Sequence, residues 1–241
     1  MIYKQHIETP SYLCDIDDRL HPWAAIRLCQ EVTEYHGNAT GIGFKTLVQS
    51  NHAWVITRGL YIFHRMPDAF EQIDLSTWSR GNNGLIAMRD YRMLSAQGDN
   101  LLTGTSYWAL IDMSSRRVLR LNNVVSNYEN HDILATEHAE LQKIKQSEMT
   151  DDDKVMQCNV PFAFIDHTRH MNNSEYVKLM FDVLHNDGFD TKRPFELEVN
   201  YQLESRLGEQ LTVYRKHVDG TTFIEIDNPR AMSVLARVAY L

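Results

Sequence analysis

The sequence predicts an α+β chain built on antiparallel sheet, and three observations carry that prediction. Apolar residues recur at helical spacing in two segments. Each such segment is followed by β-rich runs at hairpin spacing. The second half of the chain repeats the order of the first. Tight turns suffice between antiparallel strands, whereas parallel strands need a crossover of about a dozen residues or more, so a meander is expected and not a doubly wound parallel sheet.

The first helix is expected after His21-Pro22, because proline suits a first helical turn. Ala25, Leu28, Cys29, Val32, Tyr35 and Ala39 then fall at three- and four-residue steps, and Gly41-Ile42-Gly43 breaks the pattern. From Ala53 the period changes. Trp54 to Met66 is a long β-rich run, and Gln72–Ser79, Leu85–Leu94 and Leu101–Met113 are further strands. Met66-Pro67-Asp68, Gly81-Asn82-Asn83-Gly84 and Gln97-Gly98-Asp99-Asn100 supply the turns between them.

Residues 126–154 change character. Ser126–Lys145 mixes Asn, His, Glu and Gln with few apolar residues, and Asp151-Asp152-Asp153 closes the stretch. It reads as a linker with room for one polar helix, between an N-terminal domain over 1–125 and a C-terminal domain over 155–241.

Beyond it, Val160–Ile165 is a short apolar segment, and Asn173 and Ser174 offer helix caps. Tyr176, Val177, Leu179, Met180, Val183 and Leu184 form a helical stripe that stops at Asn186-Asp187-Gly188. Phe195 to Glu204 alternates apolar and polar residues, so one face of that strand is apolar and the other polar. Leu211–Val218, Thr221–Ile226 and Met232–Tyr240 complete a second meander. Glu71-Gln72-Ile73-Asp74-Leu75 echoes Glu209-Gln210-Leu211-Thr212-Val213, each after a helix, a long strand and a turn. The pattern fits a duplication; one irregular α+β domain is the alternative.

Composition bounds the function. With 241 residues, 43% hydrophobic and 23% charged, the chain is long enough for a core without disulfides or a structural metal. Its net charge of −8, from 24 Lys+Arg against 32 Asp+Glu, disfavours non-specific nucleic-acid binding. No run of about 18 apolar residues exists to cross a membrane, and the first residues lack a secretory apolar region. Cys14, Cys29 and Cys158 are an odd number at wide spacing, which suits a reducing cytoplasm. No phosphate loop, nucleophile elbow or dinucleotide fingerprint occurs, so no cofactor is implied.

The densest polar cluster is Asp166-His167-Thr168-Arg169-His170-Met171-Asn172-Asn173, between an apolar segment and the second helix. A helix N-terminus offers unpaired N–H groups and a positive dipole end, which can hold a developing oxyanion. Asp166, Thr168 and His170, at alternate positions, bring an acid, a hydroxyl and an imidazole to one side of that loop. Read from the residues alone, the cluster is either a catalytic loop or simply a helix cap. His167-x-x-His170 has no supporting metal spacing, so no metal site is expected. Glu204, closing the alternating strand, is a second candidate, although its neighbours Glu196 and Glu198 read as a solvated face. Cys29 reads as core, and nothing near Cys158 marks a nucleophile.

Taken in order, several short motifs resemble those of a bacterial acyl-acyl carrier protein thioesterase, similar to the plant fatty-acid-terminating enzymes. In the first half they are Trp54-Val55-Ile56-Thr57-Arg58, Thr77-Trp78, Asn83-Gly84 with Arg89-Asp90-Tyr91, Ser106-Tyr107-Trp108 and Ser115-Arg116-Arg117. In the second they are Asp166-x-Thr168-x-His170-Met171-Asn172-Asn173 and Tyr201-Gln202-Leu203-Glu204-Ser205. The resemblance implies two hotdog domains in tandem, each an antiparallel sheet wrapped around a central helix. It implies hydrolysis of fatty acyl-acyl carrier protein to free fatty acid and free carrier protein.

The family pattern is Asp-x-Asn-x-His, then Glu on a later strand, then Cys in the plant enzymes. Asp166, His170 and Glu204 match it, whereas Thr168 stands for the Asn and Ser205 for the Cys. A cysteine nucleophile is therefore impossible at 205, and water attack assisted by Glu204 and His170 is the simpler chemistry. Backbone N–H groups near Met171–Asn173, with or without the Thr168 hydroxyl, are expected to hold the oxyanion.

Asn172, Asn173, Ser205 and Trp54 are the expected substrate contacts. The acyl chain is expected in the first domain, between the Ala25–Ala39 helix stripe and the Trp54–Phe63 strand. Arg116, Arg117 and Arg120 are candidates for docking the acidic carrier protein, or else a solvated turn. An acyl-CoA thioesterase, a hydratase of similar fold and a non-catalytic acyl-thioester sensor are the competing readings. The assembly is expected to be a monomer or a homodimer.

Overall fold

The computed structural model describes residues 1–121, 129–145 and 148–241, and the chain forms two compact units, Met1–Leu141 and Gln142–Leu241. The expected linker 126–154 and the boundary at 125 fall partly outside the described residues. Among those described between 129 and 145 there is no helix. Polar groups on the strands of the first unit hold this stretch instead. Trp78 Nε1 donates to the Ile133 carbonyl at 2.9 Å, buried Asp90 accepts from Ala135 N at 2.7 Å, and Arg58 Nη1 donates to the Leu141 carbonyl at 2.9 Å. Few apolar residues are needed to fix a segment whose backbone is bonded in this way.

In the first unit, β1 (Tyr3–Glu8) precedes helix α1 (Pro22–Ala39) and the short helix α2 (Phe44–Leu47). Strands β2 (His52–Phe63), β3 (Gln72–Asn82), β4 (Ile86–Ser95) and β5 (Asn100–Asp112) follow. Pro22 occupies the first turn of α1, and Gly41 at φ +78° with Ile42 N donating to the Gly37 carbonyl ends it, as the breaker cluster predicted. Every strand pair is antiparallel, in the spatial order β1-β3-β4-β5-β2. Helix α1 lies chiefly against β3 and β1.

In the second unit, β6 (Lys154–Asn159) precedes α3 (Asn173–Asn186). Strands β7 (Phe195–Tyr201), β8 (Gln210–Val218), β9 (Thr221–Asp227) and β10 (Met232–Tyr240) follow. The spatial order is β6-β8-β9-β10-β7, again antiparallel throughout. The apolar stripe of α3 buries Tyr176, Val177, Met180 and Leu184, and the sheet buries Leu197, Val199, Leu211, Val213, Ile224 and Ile226. Fully burying one such aliphatic side chain stabilises the unit by about 1.5–3 kcal/mol.

The two units repeat strand for strand: strand, helix, strand, then a three-strand meander, with the same spatial order. The repeated order of elements is the one the sequence suggested. β1 and β6 were not expected. Both lie at a sheet edge, and their polar sequences YKQHIE and KVMQCN bury one face at most.

Candidate active site

Asp166 shapes the loop that enters α3. Its Oδ1 accepts from Thr168 N at 2.8 Å and from Thr168 Oγ1 at 2.5 Å, and its Oδ2 accepts from Asn172 Nδ2 at 3.3 Å. Arg169, at φ +68°, reverses the chain, and Asp166 N donates to the His170 carbonyl at 3.0 Å. Asn172 caps the helix one residue earlier than expected, its Oδ1 accepting from Ser174 N at 2.9 Å and Ser174 Oγ at 2.7 Å. The turn leaves the His170 side chain 26% exposed at the mouth of the helix.

Glu204 reaches the same place from the end of β7. Its carbonyl accepts from Asn228 Nδ2 at 3.2 Å and from Arg230 Nη2 at 2.6 Å, both on the turn between β9 and β10. Ser205 locks the two loops together. Its N–H donates to the Tyr176 hydroxyl at 2.8 Å, its carbonyl accepts from Met171 N at 3.0 Å, and its hydroxyl lies 3.0 Å from that of Ser233. These bonds bring Glu204 Oε1 to 3.2 Å from His170 Nε2, with the carboxylate side chain 22% exposed. Burial pushes the Tyr176 phenol up, so it stays protonated as a structural hydrogen-bonding group.

Asp166, Thr168, His170, Asn172, Asn173, Glu204 and Ser205 thus come together in the second unit. Trp54 lies in the first unit, where its Nε1 donates to the Ile42 carbonyl at 3.0 Å and its ring packs on Leu47, Leu110 and Leu121. Ser205 is fully buried, with its hydroxyl against Ser233. The Thr168 hydroxyl is committed to Asp166. Of the three expected oxyanion donors, Met171 N is bonded to the Ser205 carbonyl and Asn172 N to the Phe164 carbonyl. Asn173 N, at the first position of α3, has no hydrogen-bond acceptor among the described residues. Burial raises the Cys158 thiol, which disfavours the thiolate a nucleophile needs. Among the described residues no three His, Cys, Asp or Glu side chains group as metal ligands. Sequence reading missed Tyr176, Asn228, Arg230 and Ser233, because helix packing brings Tyr176 to Ser205 and strand pairing brings the other three to Glu204 and Ser205.

The first unit carries the same pair of loops with other residues. Asp15 N donates to the Arg19 carbonyl at 2.7 Å, His21 N to the Leu13 carbonyl at 3.0 Å, and Leu20 N to the Pro67 carbonyl at 2.8 Å. In the second unit the matching bonds are Asp166 N to His170 O, Asn172 N to Phe164 O and Met171 N to Ser205 O. Asp18 at φ +59° matches Arg169. By this correspondence Arg19 stands where His170 does, buried Met66 where Glu204 does, and Pro22, which has no N–H, where Asn173 does. At these matched positions, among the described residues, an imidazole, a carboxylate and a helix-end N–H come together in the second unit and not in the first. The spacing Pro10…Pro22 against Pro161…Asn173 would have shown this in the sequence.

Comparison with known proteins gives the family. Residues 1–128 match the acyl-ACP thioesterase N-terminal domain and residues 147–229 the C-terminal domain of the same family. A chloroplastic acyl-(acyl-carrier-protein) hydrolase of Cuphea viscosissima is 22% identical over 219 residues, 85% of this chain and 52% of the relative. The dodecanoyl-(acyl-carrier-protein) hydrolase of Umbellularia californica is 23% identical over 217 residues, 85% of this chain and 56% of the relative. The chain therefore spans about half the length of the curated relatives it matches.

The fold is shared with an acyl-ACP thioesterase of Bacteroides thetaiotaomicron, with TM-score 0.86, 20% identity and coverage of 100% of this chain and 98% of the other. It is also shared with a 12:0-ACP thioesterase of Umbellularia californica, with TM-score 0.85, 16% identity and coverage of 100% and 97%. With both family domains matched in order along one chain, the protein belongs to the acyl-ACP thioesterase family.

Proposed function

We propose that the protein hydrolyses the thioester between a fatty acyl chain and the phosphopantetheine arm of acyl carrier protein, releasing free fatty acid and free carrier protein in fatty acid biosynthesis. Family membership supports the reaction. The observation that carries the mechanism is the 3.2 Å approach of Glu204 Oε1 to His170 Nε2 beside the start of α3. Glu204 is the general base. It takes a proton from water as the water oxygen attacks the thioester carbonyl carbon. His170 orients the carboxylate and the water. The Asn173 N–H and the positive end of α3 hold the oxyanion. Collapse of the tetrahedral intermediate breaks the carbon–sulfur bond, and the departing sulfur takes up the proton held at Glu204. Asp166, Thr168, Asn172 and Ser205 hold the loops in register.

In this reading each unit is a hotdog domain, the first holding the acyl chain and the second the chemistry. The three free cysteines suit a cytoplasmic setting, and no helix among the described residues is long and apolar enough to cross a membrane. The test is hydrolysis of one acyl chain presented on carrier protein and on coenzyme A. Faster turnover of the carrier-protein thioester supports the reading; preference for the coenzyme A thioester overturns the assigned thiol carrier.

A further inference from the structure

The internal repeat exposes a change of charge that the chemistry does not require. The αL residue of the catalytic loop is Arg169, and its counterpart in the first unit is Asp18. The residue after Ser205 is Arg206. Its N–H donates to Glu209 Oε2 at 2.9 Å, as Asp68 N donates to Glu71 Oε2 at 2.9 Å, so Asp68 is its counterpart. Two aspartates in one copy are thus two arginines in the other, on loops joined by the Met171–Ser205 bond. In the first unit Asp68 lies within 4.0 Å of Arg19 and Arg65. Arg169 and Arg206 are exposed and form no ion pair among the described residues. A chain of net charge −8 therefore presents two uncompensated cations beside its carboxylate–imidazole pair.

We infer that Arg169 and Arg206 form the docking surface for the acidic face of the acyl carrier protein, an assignment that rests on the function proposed above. Charge complementarity selects this occupant. An acidic partner is repelled by the molecule as a whole and is attracted only where positive charge is left unpaired, and such rim charges set encounter and orientation. Arg116 and Arg117 sit instead on the turn after β5 of the first unit, where Arg116 N donates to the Asp112 carbonyl at 2.8 Å.

The test uses the full chain with Arg169→Asp and Arg206→Asp, residues the first copy already accommodates at these positions, and with the neutral pair Arg169→Asn and Arg206→Gln. Circular dichroism checks the fold. Fluorescence anisotropy measures the Kd of holo-carrier protein without turnover, and kinetics compare one acyl chain on carrier protein, on phosphopantetheine and on N-acetylcysteamine. The neutral double variant should raise the Kd roughly tenfold at low salt, with the difference shrinking as the Debye length falls to about 3 Å near 1 M salt. The ratio of kcat/KM on acyl-carrier protein to that on the N-acetylcysteamine thioester should fall by a similar factor. An unchanged Kd overturns the assignment. So does an equal loss on the phosphopantetheine thioester, which would place the arginines on the phosphate, or an equal loss from Arg117→Glu, which would indicate a general field. Wild-type enzyme that binds carrier protein through these arginines without hydrolysing its thioester would sink the proposed reaction and leave the docking surface standing.

Discussion

In the proposed reaction Glu204, His170 and the Asn173 N–H divide the work of one hydrolysis, and each can be tested with little change of shape. Glu204→Gln keeps the side-chain volume and removes the base, so kcat should fall by about a hundredfold to ten-thousandfold. Asn173→Pro copies Pro22 of the first unit, and the residue before it is already extended, with Asn172 at φ −61° and ψ 141°. The helix should form as before, while loss of one oxyanion donor costs about 2.7–4 kcal/mol of transition-state stabilisation, read as a fall in kcat of a hundredfold or more. Full activity of Asn173→Pro would remove that N–H from the mechanism. Thr168 was legible as a loop residue, but its hydroxyl bond to Asp166 was not, because side-chain pairing two residues apart depends on the local turn.

At the scale of elements, the sequence announced most of the fold through periodicity. Among the described residues, helices α1 and α3 and eight of the ten strands bury enough of one face to print a pattern. Edge strands β1 and β6 print none, since a strand paired on one side and half-exposed tolerates polar residues on both faces. The site was legible only as two separate loops; what joins them is Ser205, bonded to Met171 N and the Tyr176 hydroxyl, while strand pairing of β7 with β10 carries Ser233 and the Asn228–Arg230 turn to the Glu204–Ser205 segment. Asn228→Ala should therefore lower kcat several-fold through misplacement of Glu204 and leave KM for acyl-carrier protein nearly unaltered. A rise in KM with normal kcat would contradict this positioning role. Met66→Glu should not create a second site. It puts a carboxylate at a buried position, and chemical denaturation should show a loss of about 1–3 kcal/mol.

Across the whole molecule, two buried groups outside the site set opposing pH dependences. Burial, and then the charge of Arg89, lowers His36 from 6.5 to about 4. The unfolded chain therefore takes up this proton before the folded one does, and stability present above pH 6.5 is lost as pH falls toward 4. Burial, and then the charge of Asp227, raises Glu225 from 4.5 to about 7. Here the folded state holds the extra proton, so stability declines as pH rises from 4.5 through 7. Glu225→Gln should raise the urea midpoint at pH 8 more than at pH 5, and equal shifts at both would contradict the burial argument. The central claim concerns the second unit alone: a carboxylate and an imidazole beside one helix end cut a thioester. Single-turnover hydrolysis of acyl-carrier protein by wild type and by Glu204→Gln tests it most directly. The account predicts a variant that folds, binds acyl-carrier protein and cleaves it about a hundredfold or more slowly; cleavage within twofold of wild type would contradict it.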